Sequence, residues 1–116
     1  MHRDVRKLIF DIDRAATLIT EFTENKTLAD YRTDVMLQSA VERQFEIIGE
    51  AMNRLKRVEP STLERISDFQ RIIDFRNVLI HGYDIVSDEL VWNIIVEKLP
   101  PLRSELDAIE RDLGMK

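Results

Sequence analysis

The stretch VERQFEIIGEAMNRL, residues 41–55, repeats apolar side chains at steps of three and four residues. That spacing is typical of one face of an α-helix, and its extension to both sides predicts a helix from near Leu28–Tyr31 to about Val58. One apolar stripe contains Leu37, Val41, Phe45, Ile48, Met52 and Leu55, and a second stripe beside it contains Met36, Ala40, Ile47, Ala51 and Val58. Because so wide an apolar arc needs two packing partners, we expect this helix to pack in a bundle and in a subunit interface. A central helix of a monomer is the alternative.

The segments on either side of this helix are also predicted to be helical. A first amphipathic helix runs from about Val5 to Phe22 and ends in the stretch TENKT, where Asn25 suits a turn. Pro60 ends the long helix, and Ser61, three residues before Glu64, has the spacing of a capping box that opens a short helix.

The C-terminal half continues in the same way. Residues 68–81, DFQRIIDFRNVLIH, predict a buried helix that Gly82 closes. Ser87 opens the last helix, which we expect to kink or break at Pro100 and Pro101 and to end at Gly114. Together these segments predict an all-α fold, an antiparallel four-helix bundle with one short extra helix, as a single domain over residues 1–116.

Composition and charge narrow the function classes. The net charge is -5, from 17 basic and 22 acidic residues, so RNA binding would need a local basic patch. Candidates for that patch are Arg54, Lys56, Arg57, Arg65 and Arg71. The chain has no cysteine, its apolar runs are too short to span a membrane, and its charged N-terminus does not resemble a signal peptide, so we expect a cytoplasmic protein without membrane contact.

The stretch RNVLIHGYD, residues 76–84, gathers Arg76, Asn77, His81 and Tyr83 near a predicted helix end. An arginine offers planar donors to a phosphate, and a histidine near a helix C-terminus suits proton transfer. On a helix that turns about 100° per residue, Asn77 and His81 share one face, but Arg76 and His81 are about 140° apart. One helix would therefore not aim both at one atom unless its end distorts or a second copy contributes. The alternative is structural: Arg76 pairs with Asp74 or Asp84, His81 caps the helix and Tyr83 packs.

Arg76, His81 and Tyr83, spaced R-x4-H-x-Y, resemble the motif of the HEPN superfamily and in particular of HepT-like toxins. VERQFEIIGEAMNRL is similar to the family's second-helix signature, and RNVLIHGYDIV followed by VWNIIVEKLPPL to its C-terminal half. The resemblance implies a homodimer in which two copies of the motif form one composite site.

The activity implied by the resemblance is metal-independent endoribonuclease cleavage, with no cofactor, through attack of the ribose 2′-hydroxyl. Arg76 and His81 would be the catalytic pair, with Asn77 as the polar residue that follows the arginine, and DNA would not be cut. The protein would be the toxin of a type VII-like toxin–antitoxin module, and a minimal nucleotidyltransferase antitoxin would neutralise it by adenylylation of Tyr83. The alternatives are a non-catalytic nucleotide-binding or accessory partner of a nucleotidyltransferase, and a purely structural dimer.

Overall fold

A computed structural model of the chain describes residues 2–82 and 86–116, and all regular structure in these ranges is α-helical. The helices are α1 (His2–Thr23), α2 (Leu28–Thr33), α3 (Val35–Val58), α4 (Pro60–Leu63), α5 (Phe69–His81), α6 (Asp88–Glu97) and α7 (Leu99–Asp112). The predicted all-α fold is confirmed. The described chain nevertheless contains seven helices where the sequence pattern predicts five.

The central helix is α3, which packs most extensively on α1 and α5, while α7 packs on α1 and α6. The first apolar stripe of α3 lies fully in the core, and Ala51 of its second stripe is buried as well. Ile47 and Ala51 line a groove together with Leu8 of α1, whereas Met36 at the other end of the stripe is 77% exposed. Of the second stripe, only Ala51 is buried, and Ile47 and Val58 are partly buried against the core. The expected subunit interface remains a prediction.

The predicted long second helix is wrong in one respect, because Asp34 divides it into α2 and α3. Asp34 has extended backbone (φ -115°, ψ 94°), and its carboxylate accepts a hydrogen bond from the Leu37 amide at 3.0 Å. The side chain of Gln38 donates to the Tyr31 carbonyl at 2.8 Å and so satisfies an open end of α2. A capping aspartate with a nearby amide therefore outcompetes the uninterrupted helix.

The capping box predicted at Ser61 is also wrong, although the short helix itself is present. Helix α4 begins two residues earlier, at Pro60, and its N-cap residue Glu59 makes no side-chain cap. The Ser61 hydroxyl instead donates to the Glu59 carboxylate at 2.8 Å. Proline suits the first position of a helix because it has no amide to leave unpaired, and it starts α4.

The remaining helix ends follow the predictions closely. Asn25 takes a positive φ of 61° after α1, and Gly114 takes 74° after α7, where Met115 donates to the Glu110 carbonyl at 2.8 Å. Ser87 caps α6, and the predicted break falls at Lys98, so that the two prolines open α7. Gly82 follows α5 as expected, but with φ -125° rather than the left-handed conformation of a C′ glycine.

Candidate active site

The predicted site residues Arg76, Asn77 and His81 all lie on α5, the helix that packs against α3. Their helix is anchored from below by Phe75, whose ring meets Phe45 of α3 edge to face with centroids 5.1 Å apart. Such a contact fixes both the distance and the rotation of α5 relative to α3. The backbone that carries the three polar side chains is therefore held by the core.

The Arg76 side chain is half-buried and passes directly over Gly49 of α3. A Cβ atom placed on Gly49 would lie 2.3 Å from Arg76 Cβ, 2.5 Å from Cγ and 3.2 Å from Cδ. At the far end of the side chain, Nη1 donates to Asn77 Oδ1 at 3.2 Å, and Nε is buried without a hydrogen-bond partner in residues 2–82 and 86–116. The arginine thus has a seated stem and a guanidinium held at one side by its chain neighbour.

The predicted salt bridge from Arg76 to Asp74 is absent. Within residues 2–82 and 86–116, no carboxylate lies within 4.0 Å of its guanidinium. Asp74 accepts instead from the Gln70 side chain at 3.0 Å. Asp84, the other proposed partner, lies outside the described residues, as does Tyr83. Arg76 is therefore not the salt-bridge partner of Asp74.

His81 is the last residue of α5 and is exposed, as is Asn77 one turn before it. The helix stays regular to this point, because the Gly82 amide donates to the Val78 carbonyl at 2.8 Å. Arg76 and His81 consequently keep the separation of about 140° that an undistorted helix gives them. The structure brings Arg76 and Asn77 together and leaves His81 on a different side of the helix.

An acidic cluster, defined here as Glu42, Glu46 and Asp88, lies where α3 approaches the start of α6. Burial raises the pKa of the Glu42 carboxyl, and the charges of Glu46 and Asp88 raise it further. Burial, with Glu42 and Asp88, likewise raises the pKa of the Tyr31 hydroxyl, which is fully buried and has no hydrogen-bond partner among the described residues. The sequence pattern did not predict this cluster, which places negative charge near the buried Tyr31 hydroxyl.

The basic residues proposed as an RNA patch do not form one surface. Arg65 pairs with Asp112 at 2.7 Å, and Arg71 is exposed on α5. Arg54 and Arg57 line a cleft of about 450 Å³ with Lys7 of α1. On α3, Lys56 lies about 200° around the helix from Arg54, so the two point to opposite sides. Arg54 is also about 140° from Gly49, where Arg76 is seated.

No three His, Asp or Glu side chains in residues 2–82 and 86–116 converge in a way that could hold a metal ion. In the same ranges, no helix is both long and apolar enough to cross a membrane.

Comparison with known proteins places this helical chain in a family. Residues 12–109 match the model of a family described as "HepT-like: Ribonuclease HepT-like". The chain belongs to the HepT-like ribonuclease family. The predicted membership in the HEPN superfamily is thereby confirmed. Arg76, Asn77 and His81 all lie within the matched range.

Individual relatives support the same family. A Thermococcus cleftensis protein named "Probable ribonuclease HepT" is 31% identical over 115 residues, which cover 96% of this chain and all of the relative. A Methanocaldococcus jannaschii protein named "Putative RNase" is 29% identical over 92% of this chain and 97% of its own length. A longer protein of the same organism, "Gamma-glutamylcyclotransferase and putative RNase", is 33% identical over 97% of this chain and half of its own. No solved structure matches the chain significantly.

Proposed function

We propose that this HepT-like protein is an endoribonuclease that cleaves RNA at a site built from Arg76 and His81. The proposal rests on how Arg76 is held in a chain of this family. Its aliphatic stem packs over Gly49, and its guanidinium donates a hydrogen bond to Asn77. A half-buried arginine without a carboxylate partner within 4.0 Å in the described residues keeps its charge available for a phosphate.

The reaction proposed is an internal transesterification. The ribose 2′-oxygen attacks the adjacent phosphorus, the bond from phosphorus to the 5′-oxygen breaks, and the products are a 2′,3′-cyclic phosphate and a free 5′-hydroxyl. One imidazole takes the proton of the 2′-hydroxyl, and an acid returns a proton to the departing 5′-oxygen. The Arg76 guanidinium would stabilise the extra charge on the pentacoordinate phosphorus. DNA lacks the 2′-hydroxyl and would remain intact.

The geometry of α5 supports the proposal of a homodimer. Because Arg76 and His81 are about 140° apart on a regular helix, one copy cannot direct both side chains at one phosphate. A second copy of α5 facing the first would supply the missing group, with the two copies of His81 as base and acid. Ile80 is one turn beyond Arg76 and 38% exposed, which supplies an apolar contact for such an interface.

The proposed toxin is neutralised by modification of Tyr83, which lies two residues after His81 in the sequence. A nucleotidyltransferase antitoxin would transfer AMP from ATP to the phenol oxygen, with a new oxygen–phosphorus bond and release of pyrophosphate. The added phosphate would place bulk and negative charge close to Arg76 in sequence and compete with RNA. Cleavage by the free protein and its loss after modification would together define a toxin and its neutralisation.

The test begins with intact mass of the protein expressed with and without the candidate antitoxin, to separate modified from unmodified chains. Each form is then incubated in EDTA with an RNA oligonucleotide, its 2′-O-methyl analogue and the matching DNA. We expect cleavage of unmodified RNA alone, by the unmodified protein alone, with loss of at least about 10²-fold in Arg76→Ala and His81→Ala. Specific activity should also fall on dilution as the dimer dissociates. A folded, unmodified dimer that leaves RNA intact would instead favour a non-catalytic binding partner.

A further inference from the structure

Gly49 occupies an unexpected position for a glycine, because it is buried in the middle of the 24-residue helix α3. Its φ is not positive, so the backbone conformation does not require glycine there. Glycine in a helix interior costs about 0.5–1 kcal/mol relative to alanine. The residue therefore needs a reason in the packing around it.

That reason is the stem of Arg76. The three atoms nearest to a Cβ on Gly49 are Cβ, Cγ and Cδ of Arg76, at 2.3, 2.5 and 3.2 Å. Nonbonded carbon atoms settle about 3.5–4.0 Å apart, so the two shorter distances would have to grow by more than about 1 Å. The missing side chain of α3 thus creates a slot that one particular residue of α5 fills.

The slot also determines where the guanidinium sits. With the stem lowered into α3, Arg76 Nε is buried, and the Asn77 side chain accepts from Nη1. We propose that Gly49 is a positioning residue, which seats the Arg76 stem and thereby sets the direction and reach of the guanidinium. This inference rests on the proposed ribonuclease site, since it assigns Gly49 a part in the same reaction without contact with RNA.

The expected size of the effect follows from the displacement. Because the nearest atom, Arg76 Cβ, is fixed to the backbone, Gly49→Ala would push α5 away at Arg76 and move the guanidinium by about 1 Å or more. A misplacement of 1 Å at a reacting centre can cost about 10²-fold in rate. We therefore expect kcat for RNA cleavage to fall by about 10²-fold and KM to change little. The matched control is Ala51→Val, which overpacks the buried side of the same helix that faces α1 and leaves Arg76 in place.

The experiment compares both variants with the unsubstituted protein by melting temperature, by kcat and KM on one RNA oligonucleotide, and by the Nε–H resonance of Arg76 in ¹H–¹⁵N spectra. Both variants should lose stability. Only Gly49→Ala should lose kcat and shift the Arg76 resonance, which burial protects from exchange in the unsubstituted protein. In an Arg76→Gly background, which also removes the Cβ atom that lies 2.3 Å from a Cβ on Gly49, adding Gly49→Ala should change the residual cleavage by less than about 2-fold, because the group that it displaces is already absent.

Three outcomes would overturn the proposal: equal kcat loss in both variants, an unchanged Arg76 resonance in Gly49→Ala, or additive losses in the Arg76→Gly background. If Gly49→Ala does not fold, Arg76→Gly added to it should restore folding by removing the clashing carbon atoms, and failure to restore it would count against the seat. If the unsubstituted protein cleaves no RNA, the proposed function fails, and the resonance comparison still decides whether Gly49 seats Arg76.

Discussion

The hydrogen bond from Arg76 to Asn77 provides a sharp test of how the arginine is held. Asn77→Ala removes the acceptor Oδ1, which lies 3.2 Å from Nη1, and leaves the seat over Gly49 intact. That distance is at the long end of the range for N–H···O bonds, and a net contribution of about 0.5–1.5 kcal/mol is appropriate. If the bond serves to orient the guanidinium in the transition state, its loss corresponds to a fall of about 3- to 10-fold in kcat.

The assay is single-turnover cleavage of an RNA oligonucleotide in EDTA, with melting temperature measured on the same samples. The matched control is Gln70→Ala, which removes another side-chain hydrogen bond, from Gln70 to Asp74 at 3.0 Å, on the same helix away from Arg76. We expect an unchanged rate for the control and little change in melting temperature for either variant, because both bonds are exposed. Asn77→Ala added to Arg76→Ala should have no further effect.

Two results would refute this reasoning. A rate within 2-fold of the unsubstituted protein would mean that Asn77 does not orient Arg76 in any way that matters for cleavage. A loss as large as that of Arg76→Ala, expected at about 10²- to 10³-fold, would mean that Asn77 takes part in the chemistry itself.

Three further predictions concern stability. Burial, together with the charge of Asp13, raises the pKa of the Glu110 carboxyl against the opposing charge of Lys116, so its ionised form destabilises the fold. Glu110→Gln should therefore raise the unfolding free energy at pH 7, and this gain should vanish as the pH falls through that raised pKa towards the ordinary value of 4.5, in urea titrations at both pH values. Asp34→Ala removes the cap of α3 and should cost about 1 kcal/mol, measured as a melting temperature lower by about 4–8 °C. Phe45→Leu loses the edge-to-face contact under α5 and should lower the unfolding free energy in urea by about 1 kcal/mol.

Helical periodicity predicts the larger elements well and their interruptions poorly. Helix α5, Phe69–His81, and the Ser87 cap of α6 match the prediction because apolar spacing and a capping residue point to the same boundary. Asp34 was missed because the apolar pattern runs through it, and only its side-chain bond to the Leu37 amide turns the chain. Local hydrogen bonds of this kind are decided by competition between two similar energies, which periodicity does not measure.

For the candidate site, too, the sequence indicates some residues, and only the packing of the folded chain reveals the other. Arg76, Asn77 and His81 could be named from their order in the chain, and their angular separation from helix geometry alone. Gly49 could not, although a glycine inside a strongly amphipathic helix is a signal that something approaches closely. Which residue approaches depends on how α5 crosses α3, and that crossing is a property of the folded core.

The regular end of α5 is a stronger reason to expect a second copy of the chain than the apolar pattern of α3 is. Within the second apolar stripe of α3, Ala51 is buried and Ile47 and Val58 are partly buried against the core, whereas Met36 is 77% exposed, so the stripe alone does not require a subunit interface. The separation of Arg76 from His81 favours a second copy if both act on one phosphate, because the Gly82–Val78 hydrogen bond keeps the helix undistorted through His81. The exposed Ile80 lies between them in sequence, at the surface where two copies of α5 would have to meet. Ile80→Glu should therefore weaken the dimer and lower cleavage at low protein concentration, while the helical content of the folded chain, measured by circular dichroism, stays unchanged.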